Sequence, residues 1–118
     1  MASSNDRNDL MQGTLDMLVL RALRSGSLHG YAIANKIQEG SEGFLRVEEG
    51  SLYPALHRLQ ARDLVSSQWT ISDTNRRVRC YTLTEQGRQQ LRAELSRWER
   101  FSVAVSRALQ SRRPSKVS

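Results

Sequence analysis

Apolar residues recur at helical spacing near the start of the chain. They lie at Met11, Leu15, Leu18, Val19 and Ala22, which share one face of a predicted first helix. Thr14 is a candidate N-cap for this helix, because its hydroxyl can accept a hydrogen bond from a free backbone amide. Leu20 and Leu23 lie off that face, so we expect the helix to contact both its own domain and something else. The polar segment 24–27 then ends the helix.

A second helix is predicted from His29 to Glu39. Its narrow apolar face consists of Tyr31, Ile33, Ala34 and Ile37. Gly40 ends the helix, since glycine tolerates the backbone angles that follow a last helical turn. His29 is interpreted as a hydrogen-bonding residue at the helix start.

A third helix is predicted over Glu48–Leu64, and its two sides differ. Leu52, Leu56 and Leu59 fall on one side at about 100° per residue, which predicts burial there. Ser51, Pro54 and Arg58 fall on the opposite side, flanked by Gly50, His57 and Ala61. Two starts remain open. Either Ser51 is the N-cap and Pro54 lies in the first turn, or the helix begins near Glu48 and places glutamates at the positive end of its dipole.

Period-two alternation then replaces the helical pattern and predicts a β-hairpin. Val65–Ile71 and Arg77–Leu83 are the two strands, and the residues between them have turn chemistry. Trp69 and Ile71 share the face of Val65. The predicted tip is rich in arginine, which indicates either simple solvation and protection of an edge strand or contact with a phosphate backbone or minor groove.

A long last helix is predicted from Thr84, its N-cap, to Leu109. Leu91, Leu95, Trp98, Val105 and Leu109 follow spacings close to a heptad. At 1.5 Å per residue the helix is about 39 Å long, more than a domain of this size covers by itself. We therefore expect it to pack against the same helix of a second copy. The predicted dimer interface consists of Leu15, Leu18, Leu91, Leu95, Trp98, Phe101, Val105 and Leu109.

The order of these elements predicts a mainly α fold with a β-hairpin wing: a winged helix-turn-helix followed by a long C-terminal dimerisation helix. The predicted boundaries are a disordered N-terminal tail at 1–9, a winged helix-turn-helix DNA-binding domain at 10–83, a dimerisation helix at 84–109 and a disordered basic tail at 110–118.

Composition adds a preference for nucleic acid. The 118 residues carry 18 Lys and Arg against 12 Asp and Glu, a net charge of +6, and all but two of the cations are arginine. Arginine suits forked contacts with phosphates and guanine edges. The alternative is a merely solubilising surface. With one cysteine, Cys80, no internal disulfide can form, and the sequence contains neither a membrane-length apolar run nor a secretory signal. We expect a cytoplasmic protein without membrane contact.

The third helix and the wing supply the candidates for DNA contact. These are Tyr31, Lys36, Ser51, Tyr53, Pro54, Arg58, Arg62, Asn75, Arg76, Arg77 and Arg79. Arg58 can read guanine or neutralise a phosphate. Tyr53 lies between the two sides of its helix, so it is either the edge of the core or a hydroxyl for a phosphate. Tyr31 lies on an apolar face, where core packing is equally plausible.

Other chemistry finds little support in the residues. His29, His57 and Cys80 lack the paired spacing of metal ligands, so we expect no metal. The chain has no phosphate-cradling glycine loop and no close acid pair, so we expect neither an enzyme nor a cofactor.

Three segments carry a family resemblance: HGYAIANKI at 29–37, EEGSLYPALHRLQARDLV at 48–65 and NRRVRCYTLTEQG at 75–87. The chain resembles the PadR family of bacterial transcriptional regulators over about residues 13–109. Its single C-terminal helix is similar to that of the short branch of the family. The sequence of these segments is similar to that of a subgroup frequent in acidobacteria. The resemblance implies a homodimeric transcription factor, usually a repressor, that releases DNA when a small molecule or other signal arrives.

The sequence thus predicts a sequence-specific regulator, in the repressor role usual for that family, that binds a near-palindromic double-stranded operator as a homodimer. Trp98 and Phe101 are either plain dimer-core residues or, as the resemblance suggests, also the wall of a site for a flat aromatic effector. Two alternatives of other classes stay open: a basic protein that binds nucleic acid without sequence preference, and a winged-helix adaptor for other proteins.

Overall fold

The elements follow the predicted order, with one short strand added. A computed structural model of the chain describes the backbone of residues 4–111 and the side chains of residues 13–111. The elements are α1 (Ser4–Ala22), β1 (Leu28–His29), α2 (Gly30–Gly40), α3 (Glu49–Ala61), β2 (Val65–Ile71), β3 (Arg77–Leu83) and α4 (Glu85–Gln110). The fold is therefore mainly α with a β-hairpin wing and a long last helix, as predicted.

The core forms where the first three helices meet the base of the hairpin. Leucines of α1, of the residue that follows it and of α3 fill its centre, including Leu20, Leu23, Leu52, Leu56 and Leu59. Each such side chain contributes about 1.5–3 kcal/mol by leaving water. Helix α1 supplies apolar residues on several sides because α2, α3 and α4 all pack against it. Leu20 and Leu23, which the sequence places off the stripe, are thus buried within the chain's own domain.

Helix α1 begins earlier than the sequence suggests. It starts at Ser4, inside the stretch 1–9 assigned to a tail, so Thr14 lies within the helix and is not its N-cap. Extending an existing helix costs little, because each added residue gains a backbone hydrogen bond for the dihedral angles it fixes. Residues 1–3, and 112–118 of the predicted C-terminal tail, lie outside the described residues.

The sheet is antiparallel and three-stranded in the order β1-β3-β2. In the hairpin, Val65 pairs with Leu83 and Ile71 with Arg77, so the predicted strand bounds are confirmed. Strand β1 was not predicted, because two residues are too few for an alternation. Leu28 pairs with Tyr81, which fixes the start of α2 against the wing.

Helix α4 is fixed at its start to the junction between α3 and β2. Thr84 is its N-cap, as predicted: its Oγ1 accepts from the Gly87 amide at 2.9 Å and donates to the Asp63 carbonyl at 2.7 Å. The Gly87 Cα lies directly against the carbonyl of Leu64, where a Cβ does not fit. The direction of α4 is therefore set by the end of α3.

Two predicted interface residues belong to the core of the single chain. Leu15 is 4% exposed and Leu91 is 2% exposed. Neither side chain presents a surface to a partner, because α1 and α4 pack against each other within one chain. The heptad-like pattern of α4 therefore begins as intramolecular packing and becomes exposed only beyond Leu95, which is partly buried.

Candidate nucleic-acid interface

The exposed side of helix α3 carries no Asp, Glu, Lys or Arg at its centre. Leu52, Ala55, Leu56 and Leu59 form its buried side. On a helical projection the residues opposite are Gly50, Pro54, His57 and Ala61, all exposed. Gly50 and Ala61 are small, so the helix backbone can come close to another surface at these two positions, whereas Pro54 and His57 project from it.

The start of α3 resolves the two alternatives in favour of Glu48. Glu48 is the N-cap, without a side-chain hydrogen bond, and its carbonyl accepts from the Ser51 and Leu52 amides at 3.0 and 2.9 Å. Pro54 consequently lies inside the helix, where it has no amide to donate to the carbonyl of Gly50. Glu48 and Glu49 are exposed at the positive end of the helix dipole, which favours carboxylates.

Arg58 has a partner within the chain that the sequence did not indicate. Its Nη2 donates to Asp16 Oδ1 of helix α1 at 2.7 Å, and the two side chains are 35% and 21% exposed. The residue lies about 60° around the helix from the point opposite Leu52, on the flank next to α1. Its guanidinium is therefore engaged within the chain and lies beside the outward side of α3.

An open groove separates the starts of α2 and α3 from the wing and has a volume of about 800 Å³. Tyr31 and Tyr53 line its helical side, and Arg76, Arg77 and Arg79 line the wing side. The remaining lining residues are His29, Gly30, Trp69, Ser72, Asp73, Thr74, Val78 and Tyr81. Five of the predicted DNA-contact residues thus meet at one concave, positively charged and aromatic surface.

Two tyrosines on the helical side have distinct positions. Tyr31 is 70% exposed and stacks on the ring of His29 with their planes 8° apart, so the alternative that it packs in the core is wrong. His29 Nδ1 in turn accepts from the Ala32 amide at 3.4 Å, as expected of a residue at a helix start. Tyr53 is 43% exposed and its hydroxyl end lies against Gly30. It therefore both packs and reaches the groove, which leaves its hydroxyl near the wing.

Tyr81 closes the floor of the groove. Burial raises the pKa of its phenol above the ordinary 10.0, the charge of Arg79 opposes that rise, and Tyr53 adds to it. The hydroxyl is therefore neutral at physiological pH, and the wing arginines supply positive charge to the groove.

The wing presents its inner face to the groove. Trp69 pairs with Arg79 across the strands, and Ile71 pairs with Arg77. The guanidinium carbons of Arg77 and Arg79 lie 4.6 and 5.3 Å from the centroid of the Trp69 ring. At the tip Asn75 has a φ of 61°, and its amide donates to the Ser72 carbonyl at 2.9 Å. Asn75 and Arg76 are thereby displayed in a tight turn.

Six of the eleven predicted contact residues do not line this groove. Pro54 and Arg58 lie on α3, and Asn75 lies at the tip of the wing. The other three are Lys36, Arg62 and Ser51. Lys36 is on the far side of α2, where its Nζ donates to Ser25 Oγ at 3.2 Å. Arg62 is the C-cap of α3 and borders a cleft that also contains Trp98. Ser51 is exposed on the α1 flank of α3. Helical spacing explains the separation of Lys36, since it lies about 140° around α2 from Tyr31.

Trp69 is the groove residue that the sequence reasoning missed as a site residue. The signal was present in the alternation, because a residue at an odd position of the first strand shares its face with Arg77 and Arg79 once the turn length is known. The register of the hairpin shows which residues of the two strands lie opposite each other, and the sequence alone did not give it.

The outer half of α4 carries the other predicted site. The rings of Trp98 and Phe101 lie 6.2 Å apart, and Val105 and Leu109 continue the same exposed side of the helix. Leu18 is only partly buried on α1. Trp98 and Phe101 also line a cleft of about 590 Å³ with Asp16, Met17, Arg62, Glu94 and Arg97 among its walls. The exposed apolar side is thus contiguous with a cavity that reaches the end of α3.

The part of the chain described here, residues 4–111, contains no helix long and apolar enough to cross a lipid bilayer. Among the side chains of residues 13–111, no three His, Cys, Asp or Glu come together as a metal-binding group.

Comparison with known proteins identifies relatives of this arrangement. The family profile described as "Transcriptional regulator PadR-like family" matches residues 19–93. An uncharacterized 37.1 kDa protein in a transposon of Streptomyces fradiae is 41% identical over 102 residues, which cover 86% of this chain and 27% of that protein. The negative transcriptional regulator PadR of Bacillus subtilis is 32% identical over 91 residues, which cover 77% of this chain and 50% of that protein. The chain thus spans half or less of these two relatives.

Solved structures share most of this fold. A PadR-like transcriptional regulator from Bacillus cereus has a TM-score of 0.75 and 27% identity, covering 88% of this chain and 99% of that one. Bacillus subtilis PadR, crystallised in complex with operator DNA, has a TM-score of 0.62 and 32% identity, covering 70% of this chain and 47% of that one.

Proposed function

The chain belongs to the PadR-like family of transcriptional regulators, and from that membership we propose that it is a homodimeric repressor of transcription that binds a near-palindromic operator. The observation that carries the proposal is the groove in which Tyr31, Tyr53 and the wing arginines converge beside the outward side of α3. Such a regulator would act in the cytoplasm, where the chromosome lies.

Helix α3 would enter the major groove, whose width of about 12 Å matches the diameter of a helix. Gly50 and Ala61 are small enough to bring the helix backbone close to the bases. Tyr53 and Ser51 would then donate to phosphates at the edges of the groove, while Pro54 makes apolar contact. In this arrangement the residues on the two flanks of α3, Tyr53 and Ser51, would position the helix on the DNA.

The wing would contact the adjacent backbone or the minor groove. Asn75 and Arg76 are displayed at its tip, and Arg77 and Arg79 on the face toward α3. Arginine carries a permanent charge and a fork of donors that matches phosphate oxygens. Each such contact releases counterions, so the wing should contribute strongly to the salt dependence of binding.

A second copy of the chain would pack along the exposed side of α4. Trp98, Phe101, Val105 and Leu109 leave a large apolar surface in the single chain, and Leu18 and Leu95 border it. We propose residues 10–83 as the DNA-binding domain and 84–109 as the dimerisation helix. A two-fold dimer presents two copies of α3 to half-sites about 34 Å apart, one turn of B-DNA.

A relative supports the repressor role. Bacillus subtilis PadR is named a negative transcriptional regulator and was crystallised with operator DNA. For this chain we infer the same direction of control. A flat aromatic effector would lie against Trp98 and Phe101, where a small rotation of α4 alters the separation of the two reading helices through the Thr84–Asp63 connection.

The test is footprinting of DNA upstream of the protein's own and neighbouring genes, followed by titration of the protected duplex and a scrambled duplex of equal length. We expect a protected near-palindrome and affinity at least about a thousandfold higher for it at physiological salt. The variant pair Arg76→Ala,Arg77→Ala should lose affinity, whereas Arg92→Ala, an exposed arginine of α4 far from the groove, should not.

The alternatives predict other outcomes of the same experiment. Equal affinity for both duplexes with a steep salt dependence would identify a non-specific nucleic-acid-binding protein. No binding to either duplex, together with unchanged regulation by the Arg76→Ala,Arg77→Ala variant, would identify a protein-interaction adaptor. Either result would overturn the proposed operator function.

A further inference from the structure

Trp69 occupies an unusual place for a large aromatic residue. It is 53% exposed, in the middle of the wing strand β2, and faces the groove instead of the core. Two guanidiniums, those of Arg77 and Arg79, lie within 5.3 Å of its ring centroid. Distances below about 6 Å are those of cation–π attraction. The ring therefore contacts both Arg77 and Arg79.

A hydrogen-bonded connection joins this stack to helix α3. Arg79 Nε donates to Ser67 Oγ at 3.0 Å, and Ser67 Oγ donates to Gln60 Oε1 at 3.1 Å. Gln60 is in the last turns of α3, on the flank it shares with Tyr53. One continuous set of contacts thus runs from the helix through Arg79 to Trp69 and Arg77.

Neither Arg77 nor Arg79 has a carboxylate partner among the side chains that the structure describes. Within residues 13–111 the ion pairs are Arg58 with Asp16 and Arg97 with Glu94, and neither involves the wing. The aromatic ring and the serine hydroxyl therefore orient these two charges without neutralising them. A guanidinium that lies over a ring keeps the N–H donors along its edge free for an anion.

We propose that Trp69, Ser67 and Gln60 are positioning residues that hold Arg77 and Arg79 at a fixed place relative to α3, so that both meet the phosphates of one duplex backbone when α3 is in the groove. This role rests on the proposed operator function. It assigns no DNA contact to Trp69 itself. The gain comes from arginines that are already ordered before DNA arrives.

A double-mutant cycle on operator affinity tests the role. Trp69→Ala should weaken binding about tenfold, since two exposed cation–π contacts of about 0.5–1 kcal/mol each are lost. Trp69→Phe should retain most of the affinity. In an Arg77→Ala,Arg79→Ala background, Trp69→Ala should have no further effect. Equal losses in both backgrounds would overturn the proposal, because they would mean that Trp69 contacts DNA directly.

The connection to α3 has a matched control on the same strand. Ser67→Ala should weaken operator binding about threefold to tenfold by freeing Arg79, given a hydrogen bond worth about 1 kcal/mol. Ser66→Ala, which faces the other side of the hairpin opposite Thr82, should not change it. The salt dependence should stay as in the original protein for Ser67→Ala and Trp69→Ala, and fall by about one counterion for Arg77→Ala. Equal effects of both serine substitutions would contradict the role of Ser67.

The stack can be measured without DNA, which separates this inference from the operator function. The chain has two tryptophans, so in a Trp98→Phe background Trp69 is the only indole reporter. Arg77→Ala,Arg79→Ala should increase quenching of its fluorescence by acrylamide, and Arg92→Ala should not. Unchanged quenching would exclude the stack even if the operator binds. Increased quenching in a protein that binds no operator would contradict the operator function alone, leaving the stack without its proposed use.

Discussion

Arg58 of helix α3 donates to Asp16 of helix α1 at 2.7 Å, and this ion pair joins the predicted reading helix to a helix that also packs on α4. Both partners are only partly exposed, so the pair is less screened by solvent than a surface pair. Arg58 therefore stabilises the orientation of α3 relative to α1. Substitution of either partner should then disturb the orientation of α3 in the same way.

The Arg58–Asp16 ion pair predicts equal effects of two different substitutions. Arg58→Ala and Asp16→Ala should each lower the free energy of unfolding by about 1 kcal/mol and should weaken operator binding to a similar extent. The double variant should cost no more than either single one. Chemical denaturation and operator titration measure the two quantities. A large loss of affinity for Arg58→Ala, without one for Asp16→Ala, would show that Arg58 contacts DNA after all.

The contact between Gly30 and Tyr53 leads to a second prediction. A Cβ at residue 30 would lie 2.5 Å from the Tyr53 hydroxyl oxygen. Because that oxygen is the far end of a partly exposed side chain, Gly30→Ala should move the ring at a stability cost below about 1 kcal/mol. The displaced hydroxyl should weaken operator binding about tenfold, as for one lost hydrogen bond to a charged phosphate.

Tyr53→Phe provides the comparison for Gly30→Ala. It should lose a similar amount of affinity without moving the backbone, and Gly30→Ala should add little to it. Gly40→Ala, at a helical position with open space around it, serves as the control. If Gly30→Ala leaves operator affinity unchanged, the hydroxyl of Tyr53 does not contact DNA.

Gly87 gives the largest predicted change in stability. A Cβ there would collide with the carbonyl of Leu64, a backbone atom that cannot rotate away. Gly87→Ala should therefore lower the free energy of unfolding by about 1–3 kcal/mol, which shifts the melting temperature of a domain of this size by several degrees. Gly40→Ala should be neutral or slightly stabilising. Calorimetry at equal protein concentrations would decide, and equal melting temperatures would contradict the packing of α4 on Leu64.

The sequence predicts those features that depend on neighbours in the chain. The alternation in 65–71 and 77–83 defines both strands, and the spacing of Leu52, Leu56 and Leu59 defines the buried side of α3. Thr84 is identified as a cap because its partner is three residues away.

Features that depend on distant pairs were not predicted. Asp16 and Arg58 are 42 residues apart, so no local pattern indicates that the arginine has a partner. Leu15 and Leu91 looked available for a dimer, since periodicity reveals an apolar side but does not reveal which chain covers it. Lys36 is a different case, because helical spacing alone places it and Tyr31 on different sides of α2.

The exposed side of α4 supports the final prediction, which concerns assembly. Trp98 is 47% exposed and Leu109 is 80% exposed in the single chain. A charge at the centre of this side should oppose burial against a second copy, because an unpaired carboxylate would have to leave water. We therefore expect Trp98→Glu to be a folded monomer, whereas Ser96→Glu, on the opposite side of the same helix, should remain a dimer. Sedimentation equilibrium measures both masses.

The monomer should bind a single half-site with a far lower affinity than the dimer binds the full operator, since linking two reading heads multiplies affinity about a hundredfold or more. A Trp98→Glu protein that stays dimeric would place the interface elsewhere on the molecule, and would remove Trp98 and Phe101 from the proposed effector site between subunits.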